Sequence, residues 1–202
     1  MIGQLTIPLT AEETLKRRAF YEWAGDDTRA EFINGEIIRP VPTPHRNLEA
    51  EQNLFSLLPI YAESQHLGEV AFSRAMVSLT RNDNEPDICF WRKEVADAFN
   101  DDMLYFPAPD FIVEGLQPET EKRDRGVKFE DYAAHGVREY WLVDPTRQTV
   151  EQFRLDEEFM AFDAVGNFHR NDTLTALTVP GFTIPVRAIF EPAPTPTRCG
   201  RC

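Results

Sequence analysis

The stretch PDFIVEGLQPETEKRDRGVKFEDYAAHGVREYWLVDP, residues 109–145, decides the fold of this chain. Its first apolar run, Phe111–Val113, is β-branched and aromatic, which is typical of a buried strand. Glu114 follows this run at once, although a buried carboxylate is costly unless it is paired or bound to a metal. A second apolar run, Glu139–Asp144, predicts another strand that Pro145 ends.

The segment between these strands has the pattern of a helix with one buried face. Its apolar and small residues recur at i, i+3, i+4 and i+7; they are Phe129, Tyr132, Ala133 and Gly136. Gly136 also suits the left-handed position that follows a helix C-terminus. The whole stretch therefore predicts a βαβ unit with parallel strands and a right-handed crossover.

The composition favours a single globular domain. The chain has 202 residues, of which 42% are hydrophobic, so it can bury a substantial core. We expect one domain over residues 1–192, followed by a Pro-rich, disordered tail at 193–202. No long apolar run or signal-peptide pattern is present, so we expect a cytoplasmic protein with no membrane span.

Charge and cysteine content restrict the function classes. A formal net charge of −13 argues against broad, non-specific binding to nucleic acid but allows a local basic patch or a metal site. Cys89 lies in an apolar run and is expected to be a buried thiol. Cys199 and Cys202 form a C-x-x-C pair that cannot complete a tetrahedral zinc site within one chain, and the sequence leaves their role open.

Two earlier segments add acidic residues near strand ends. Asn34-Gly35 between short apolar runs predicts a two-residue hairpin turn, so Glu36 begins the second strand of that hairpin. The run 86–91, PDICFW, predicts a further strand with Asp87 at its start. A helix is expected from His45 to about residue 65, and the polar run 81–85 is expected to be a turn.

Four residues have the chemistry of a catalytic site: Glu36, Asp87, Glu114 and Lys128. If the strands carrying Asp87 and Glu114 are neighbours, their carboxylates converge at a place that suits Mg²⁺, which takes oxygen ligands. A bound Mg²⁺ can polarise a phosphodiester and lower the pKa of water. A nearby ammonium can stabilise developing negative charge or position that water.

Each of these residues also has a purely structural alternative. Asp87 can accept hydrogen bonds from backbone amides at a turn, and Glu114 can belong to a structural ion pair. Lys128 lies four residues after Asp124 and can form an ordinary surface pair with it. Glu36 can face solvent on its hairpin, and so can His45 at the start of its helix.

The motifs carrying these residues resemble the Uma-two type restriction endonuclease family, a branch of the PD-(D/E)XK nuclease superfamily. The similar segments are INGEII at 33–38, PD at 86–87, VEGLQPET at 113–120 and DRGVKFEDYAAHGVREYWLVDP at 124–145. The resemblance covers about residues 10–192. It implies an α/β fold with a restriction-endonuclease-like core, in which a central mixed β-sheet is flanked by α-helices.

The resemblance also implies roles for single residues. Asp87 matches the PD aspartate, Glu114 matches the acid of the (D/E)XK motif, and Glu36 matches an acid supplied by the N-terminal hairpin. The motif would place lysine at position 116, where this chain has Leu116. Lys128 on the following helix matches the position from which this family supplies its lysine.

Two classes of function follow. The first is an endonuclease that hydrolyses DNA phosphodiester bonds, with Mg²⁺ or Mn²⁺ held by Asp87 and Glu114, acting as a homodimer with or without a partner protein. The second is a catalytically silent binding or regulatory module on a nuclease-like fold. The acidic net charge and the leucine at position 116 favour the second class.

Overall fold

The structure is a computed structural model that describes residues 6–24, 29–73 and 75–191. The predicted tail at 193–202, with Cys199 and Cys202, lies outside the described residues. The helices are α1 (Ala11–Trp23), α2 (His45–Ser64), α3 (Lys93–Ala96), α4 (Glu121–Asp124), α5 (Val127–Ala134) and α6 (Arg187–Phe190). The strands are β1 (Glu31–Ile33), β2 (Glu36–Ile38), β3 (Gly68–Phe72), β4 (Met76–Ser78), β5 (Asp83–Asn84), β6 (Ile88–Arg92), β7 (Tyr105–Phe106), β8 (Phe111–Gly115), β9 (Glu139–Asp144), β10 (Thr149–Asp156), β11 (Ala161–His169), β12 (Thr173–Thr175) and β13 (Thr183–Pro185).

A mixed six-stranded sheet forms the centre of the molecule, in the order β11-β10-β9-β8-β6-β3. Strands β8 and β9 are parallel, whereas the other neighbouring pairs in this sheet are antiparallel. A second sheet has the order β2-β1-β5-β4-β7, and β12 pairs with β13. The predicted central mixed sheet flanked by helices is confirmed.

Alternation along the strands gives the central sheet two buried faces. On β8, Phe111 and Val113 pack in the apolar cluster that contains the buried side of α2. Ile112 packs in the opposite cluster together with Tyr132 of α5. Because successive side chains of a strand point to opposite faces, Glu114 should face α5 and Gly115 should face α2. This alternation places the candidate site at the end of β8, between two helices.

The local sequence predictions agree with the structure at most points. Strands β8 and β9 are parallel, as the βαβ pattern predicts. Asn34 and Gly35 have φ values of 52° and 82° and join β1 to β2 as a hairpin. Gly136 has φ 81° and follows α5, so the predicted helix end is also confirmed.

Two local predictions differ from the structure. The crossover is two short helices, α4 and α5, because the chain breaks the helix at Arg125-Gly126. The run 81–85 is not a simple turn, since Asp83 and Asn84 form strand β5 and are buried. Burial is possible because Asp83 accepts two hydrogen bonds from Arg17 and one from Tyr21. Within the described ranges, no helix is long and apolar enough to cross a bilayer.

Candidate active site

A polar cavity of about 100 Å³ lies beyond the ends of β6 and β8. Six carboxylates line it. One belongs to Glu85, which pairs with Arg29. The other five lie in the cavity with Lys128 and belong to Glu31, Glu51, Asp87, Glu114 and Asp124. They come from the hairpin, from α2, from the start of β6, from the end of β8 and from α4 and α5. Such a concentration of buried charge is costly to maintain and marks a candidate functional site.

Lys128 is the cation at the centre of this cluster and is only 4% exposed. Its Nζ lies 2.7 Å from Glu31 Oε1, 3.0 Å from Glu114 Oε1 and 3.8 Å from Asp124 Oδ1. The pair with Asp124 therefore exists, but it is buried and is the longest of the three. The ordinary surface pair considered from the sequence is not what the structure shows.

The protonation state of Lys128 follows from these contacts. Burial alone would lower its pKa, but the charges of Glu114, Glu31 and Asp124 outweigh burial and raise the pKa well above its ordinary value. Lys128 therefore stays positively charged at neutral pH. Its ammonium can donate hydrogen bonds and stabilise an anion, but it cannot serve as a base.

Glu114 is held firmly at the end of β8. Its Oε1 accepts hydrogen bonds from Lys128 Nζ and from Tyr132 Oη, each at 3.0 Å. Burial raises the pKa of Glu114 well above its ordinary value, against the lowering effect of Lys128. Lys128 and Tyr132 lie one turn apart on α5, so that helix orients the carboxylate from one side.

Asp87 and Glu51 approach each other beside Gly115. The Gly115 amide donates a 2.7 Å hydrogen bond to Asp87 Oδ2. A Cβ at position 115 would lie 3.1 Å from Glu51 Oε1 and 3.3 Å from Asp87 Oδ2. The two acidic oxygens thus converge on one point, and only a residue without a side chain leaves that point open.

Burial and neighbouring negative charges raise the pKa of both acids. Burial and the charge of Glu51 raise the pKa of Asp87 from 3.8 to about 7, although the Gly115 amide and Lys128 act in the opposite direction. Burial and the charge of Glu114 raise the pKa of Glu51 from 4.5 to about 7. In the absence of a cation, both acids therefore take up protons near neutral pH, well above the range of an exposed carboxylate.

The donor set fits a hard divalent cation of the magnesium type. The described residues contain no group of three or more His, Cys, Asp or Glu side chains arranged as a metal site. However, Mg²⁺ is usually held by one or two carboxylates, waters and substrate phosphates instead of a closed protein cage. Asp87 and Glu51 supply two convergent carboxylates, and Glu114 lines the same cavity.

The structure does not bring Glu36 to this cluster, which corrects the sequence prediction. Glu36 is exposed and pairs with Ile33 next to the hairpin turn. Glu31 and Ile38 form the pair two residues further from the turn, a shift of about 7 Å along a strand, and both line the cavity. The acid that the hairpin contributes is therefore Glu31.

Sequence reasoning missed Glu31 and Glu51 as site residues. Glu31 begins a strand, and Glu51 lies in a long amphipathic helix, so each has the pattern of an ordinary solvated acid. Glu51 lies one turn after Asn47, a polar residue that is buried. The structure shows this burial, whereas the sequence does not. Asn47 Nδ2 donates to the Leu116 carbonyl at 2.9 Å, which ties α2 to the end of β8. His45 is exposed and pairs with Glu49, so it faces solvent.

The helix that carries Lys128 is fixed from behind by a polar network. Asp131 accepts a 2.7 Å hydrogen bond from Asn82 Nδ2, and Asn82 Oδ1 accepts one of 2.8 Å from the Asn34 amide. His135 lies 3.1 Å from Asp131. This network connects α5 to the β1–β2 hairpin and so sets the distance between Lys128 and Glu31.

Comparisons with known proteins identify the family and agree with the fold. The model of the Uma2 family, described as "Putative restriction endonuclease", matches residues 17–187. A crystal structure of a "putative nuclease belonging to DUF820" from Anabaena variabilis has a similar fold, with a TM-score of 0.71. The two chains are 18% identical, and the match covers 85% of this chain and 94% of that one. No curated protein matches the chain.

Proposed function

Since the chain belongs to the Uma2 family of restriction-endonuclease-like proteins, we propose that it is a metal-dependent endonuclease that hydrolyses DNA phosphodiester bonds. The observation that carries the proposal is the convergence of Asp87 and Glu51 beside Gly115, within reach of the Glu114–Lys128 pair. The homodimer and the cytoplasmic location expected from the sequence stay predictions.

Asp87 and Glu114 would hold Mg²⁺ or Mn²⁺, and Glu51 would add a third carboxylate from α2. When bound, the ion would polarise the phosphodiester and lower the pKa of the attacking water. The cation would also offset the burial and the neighbouring negative charges that raise the pKa of both Asp87 and Glu51 to about 7. The acids would then remain ionised at neutral pH.

Lys128 has a separate role in this proposal. Its ammonium keeps its proton because Glu114, Glu31 and Asp124 surround it, so it would donate hydrogen bonds to the phosphate oxygen on which negative charge develops. Glu31 and Asp124 would hold the ammonium in place. Lys128 would thus replace the lysine that the (D/E)XK motif places two residues after its acid, at position 116 in this chain.

A plasmid cleavage assay tests the proposal. Purified protein with Mg²⁺ or Mn²⁺ should nick or linearise supercoiled DNA, and Asp87→Ala and Glu114→Ala should each lose at least 100-fold in rate. Lys122→Ala serves as the control, since Lys122 is exposed on the neighbouring helix. Equal cleavage by all four proteins would show that the activity comes from a contaminant or another site.

One observation favours the second candidate, a silent binding module. Glu114 Oε1 is already engaged by both Lys128 and Tyr132, as in a purely structural ion pair. On this alternative the folded protein would bind no divalent cation in the cavity. Metal titration of the folded protein therefore separates the two candidates.

A further inference from the structure

Two polar side chains in the same cavity have buried atoms without a hydrogen-bond partner. They are Gln117, through Oε1, and Arg123, through Nε. Gln117 is 9% exposed, and both residues line the cavity beside the acids. Buried polar groups in folded proteins nearly always have a partner, so two cavity-lining residues with unpartnered polar atoms point to a polar ligand in that cavity.

Arg123 is unusual among the arginines of this cavity. Arg29 forms an ion pair with Glu85 at 3.1 Å, and Arg39 lies over the ring of Trp23. Although six carboxylates line the cavity, Arg123 forms no ion pair within 4.0 Å with a carboxylate of the described residues. A guanidinium left unpaired in such acidic surroundings is free to bind an anion that comes from outside.

We propose that Gln117 and Arg123 form a subsite for a backbone phosphate of the nucleic acid, at a nucleotide next to the bond that is cleaved. The inference rests on the proposed nuclease function and adds a substrate-binding element to the same cavity. Both residues belong to the loop and short helix that follow β8. The subsite is therefore attached directly to the strand that carries Glu114.

The chemistry of both side chains suits a phosphodiester. A guanidinium presents a planar fork of N–H donors that matches two phosphate oxygens. The Gln117 amide carries an oxygen acceptor and two N–H donors, and rotation about its last torsion exchanges their positions. It can therefore turn an N–H toward a phosphate while its oxygen accepts from water.

Binding of a fluorescein-labelled 20-base-pair DNA duplex, followed by anisotropy in Ca²⁺ buffer, tests this subsite. Arg123→Ala should weaken binding by about tenfold or more, and Gln117→Ala by a smaller factor. Lys122→Ala is the matched control, because it removes the same charge at the adjacent, exposed position. Arg123→Lys should fall between the wild type and Arg123→Ala, since it keeps the charge without the fork. Thermal melts should show that every variant is folded.

Each outcome decides the inference. A larger loss of duplex affinity for Arg123→Ala than for Lys122→Ala supports the subsite. If the protein shows this loss but does not cleave DNA, the proposed nuclease function fails and the subsite stands. Equal losses for the two variants, or no duplex binding by the wild type, overturn the subsite. If the subsite is overturned but DNA cleavage still depends on Asp87, the proposed nuclease function is supported without it. A parallel titration with inorganic phosphate completes the test: dependence on Arg123 there but not with the duplex would mean a free-phosphate site and would also overturn the inference.

Discussion

Replacing Asp87 with asparagine should change how the stability of the metal-free protein depends on pH. The folded state binds the Asp87 proton more tightly than the unfolded chain does, since burial and Glu51 raise its pKa from 3.8 to about 7. The ionised carboxylate therefore costs stability, and this cost grows from about pH 4 to about pH 7 and then stays constant. The sign is the opposite of that for an acid stabilised by a salt bridge.

The magnitude follows from the size of the change in pKa. A change from 3.8 to about 7 corresponds to an upper limit of about 4 kcal/mol, because each pKa unit is worth about 1.36 kcal/mol. Asp87 keeps some contact with solvent in the cavity and shares its repulsion with Glu51, so about 2 kcal/mol is the expected effect. Asp87→Asn should be more stable than the wild type by that amount at pH 8 and nearly equal at about pH 3.5, below the pKa of an unfolded aspartate.

Urea unfolding in EDTA at several pH values between about 3.5 and 8 measures this difference. Asp163→Asn is the control, because Asp163 is exposed on β11 and its replacement should leave the pH dependence of the wild type unchanged. The reasoning is refuted if Asp87→Asn and the wild type lose stability in parallel as the pH rises, or if the variant is the less stable protein at pH 8.

Four further substitutions, of which Glu36→Gln is a control, test other parts of the cluster. Lys128→Met leaves three carboxylates around an apolar side chain and should cost about 3–5 kcal/mol of unfolding free energy; a loss below 1 kcal/mol in urea unfolding would contradict the buried pairing. Gly115→Ala places a Cβ against two acidic oxygens and should weaken Mn²⁺ binding about tenfold, so calorimetry showing unchanged affinity would exclude metal at that point. Glu31→Gln should lower stability by about 1–3 kcal/mol, whereas Glu36→Gln should stay within about 0.5 kcal/mol; equal effects in the same assay would restore Glu36 to the site.

Much of the fold could be predicted from local patterns. The hairpin at Asn34-Gly35 depends on positive φ at two adjacent residues, and the βαβ unit on apolar runs separated by a helical repeat. Both are short-range signals, and both are confirmed. The strand at Asp83-Asn84 could not be predicted, because its burial depends on Arg17, a residue far away in the sequence.

The residues of the candidate site also divide into those that local sequence patterns indicate and those that only tertiary packing brings together. Asp87, Glu114 and Lys128 could be selected because each lies beside a strand or helix whose pattern was clear, and the structure gathers them in one cavity. Glu31 and Glu51 could not, since an acid on an amphipathic element becomes part of a site only through tertiary packing. The sequence indicates Glu36 because it follows the Asn34-Gly35 turn and matches the hairpin acid of the family, whereas the position of the hairpin over the cavity depends on tertiary packing.

Calorimetric titration of the folded, metal-free protein with Mn²⁺ is the most direct test of the proposed metal-dependent function. The wild type should bind one ion per chain, with an affinity that rises between pH 6 and pH 8 as Asp87 and Glu51 lose their protons. Asp87→Ala should lose this binding while remaining folded. The account is contradicted if the folded wild type binds no Mn²⁺, or if Asp87→Ala binds it with the same affinity.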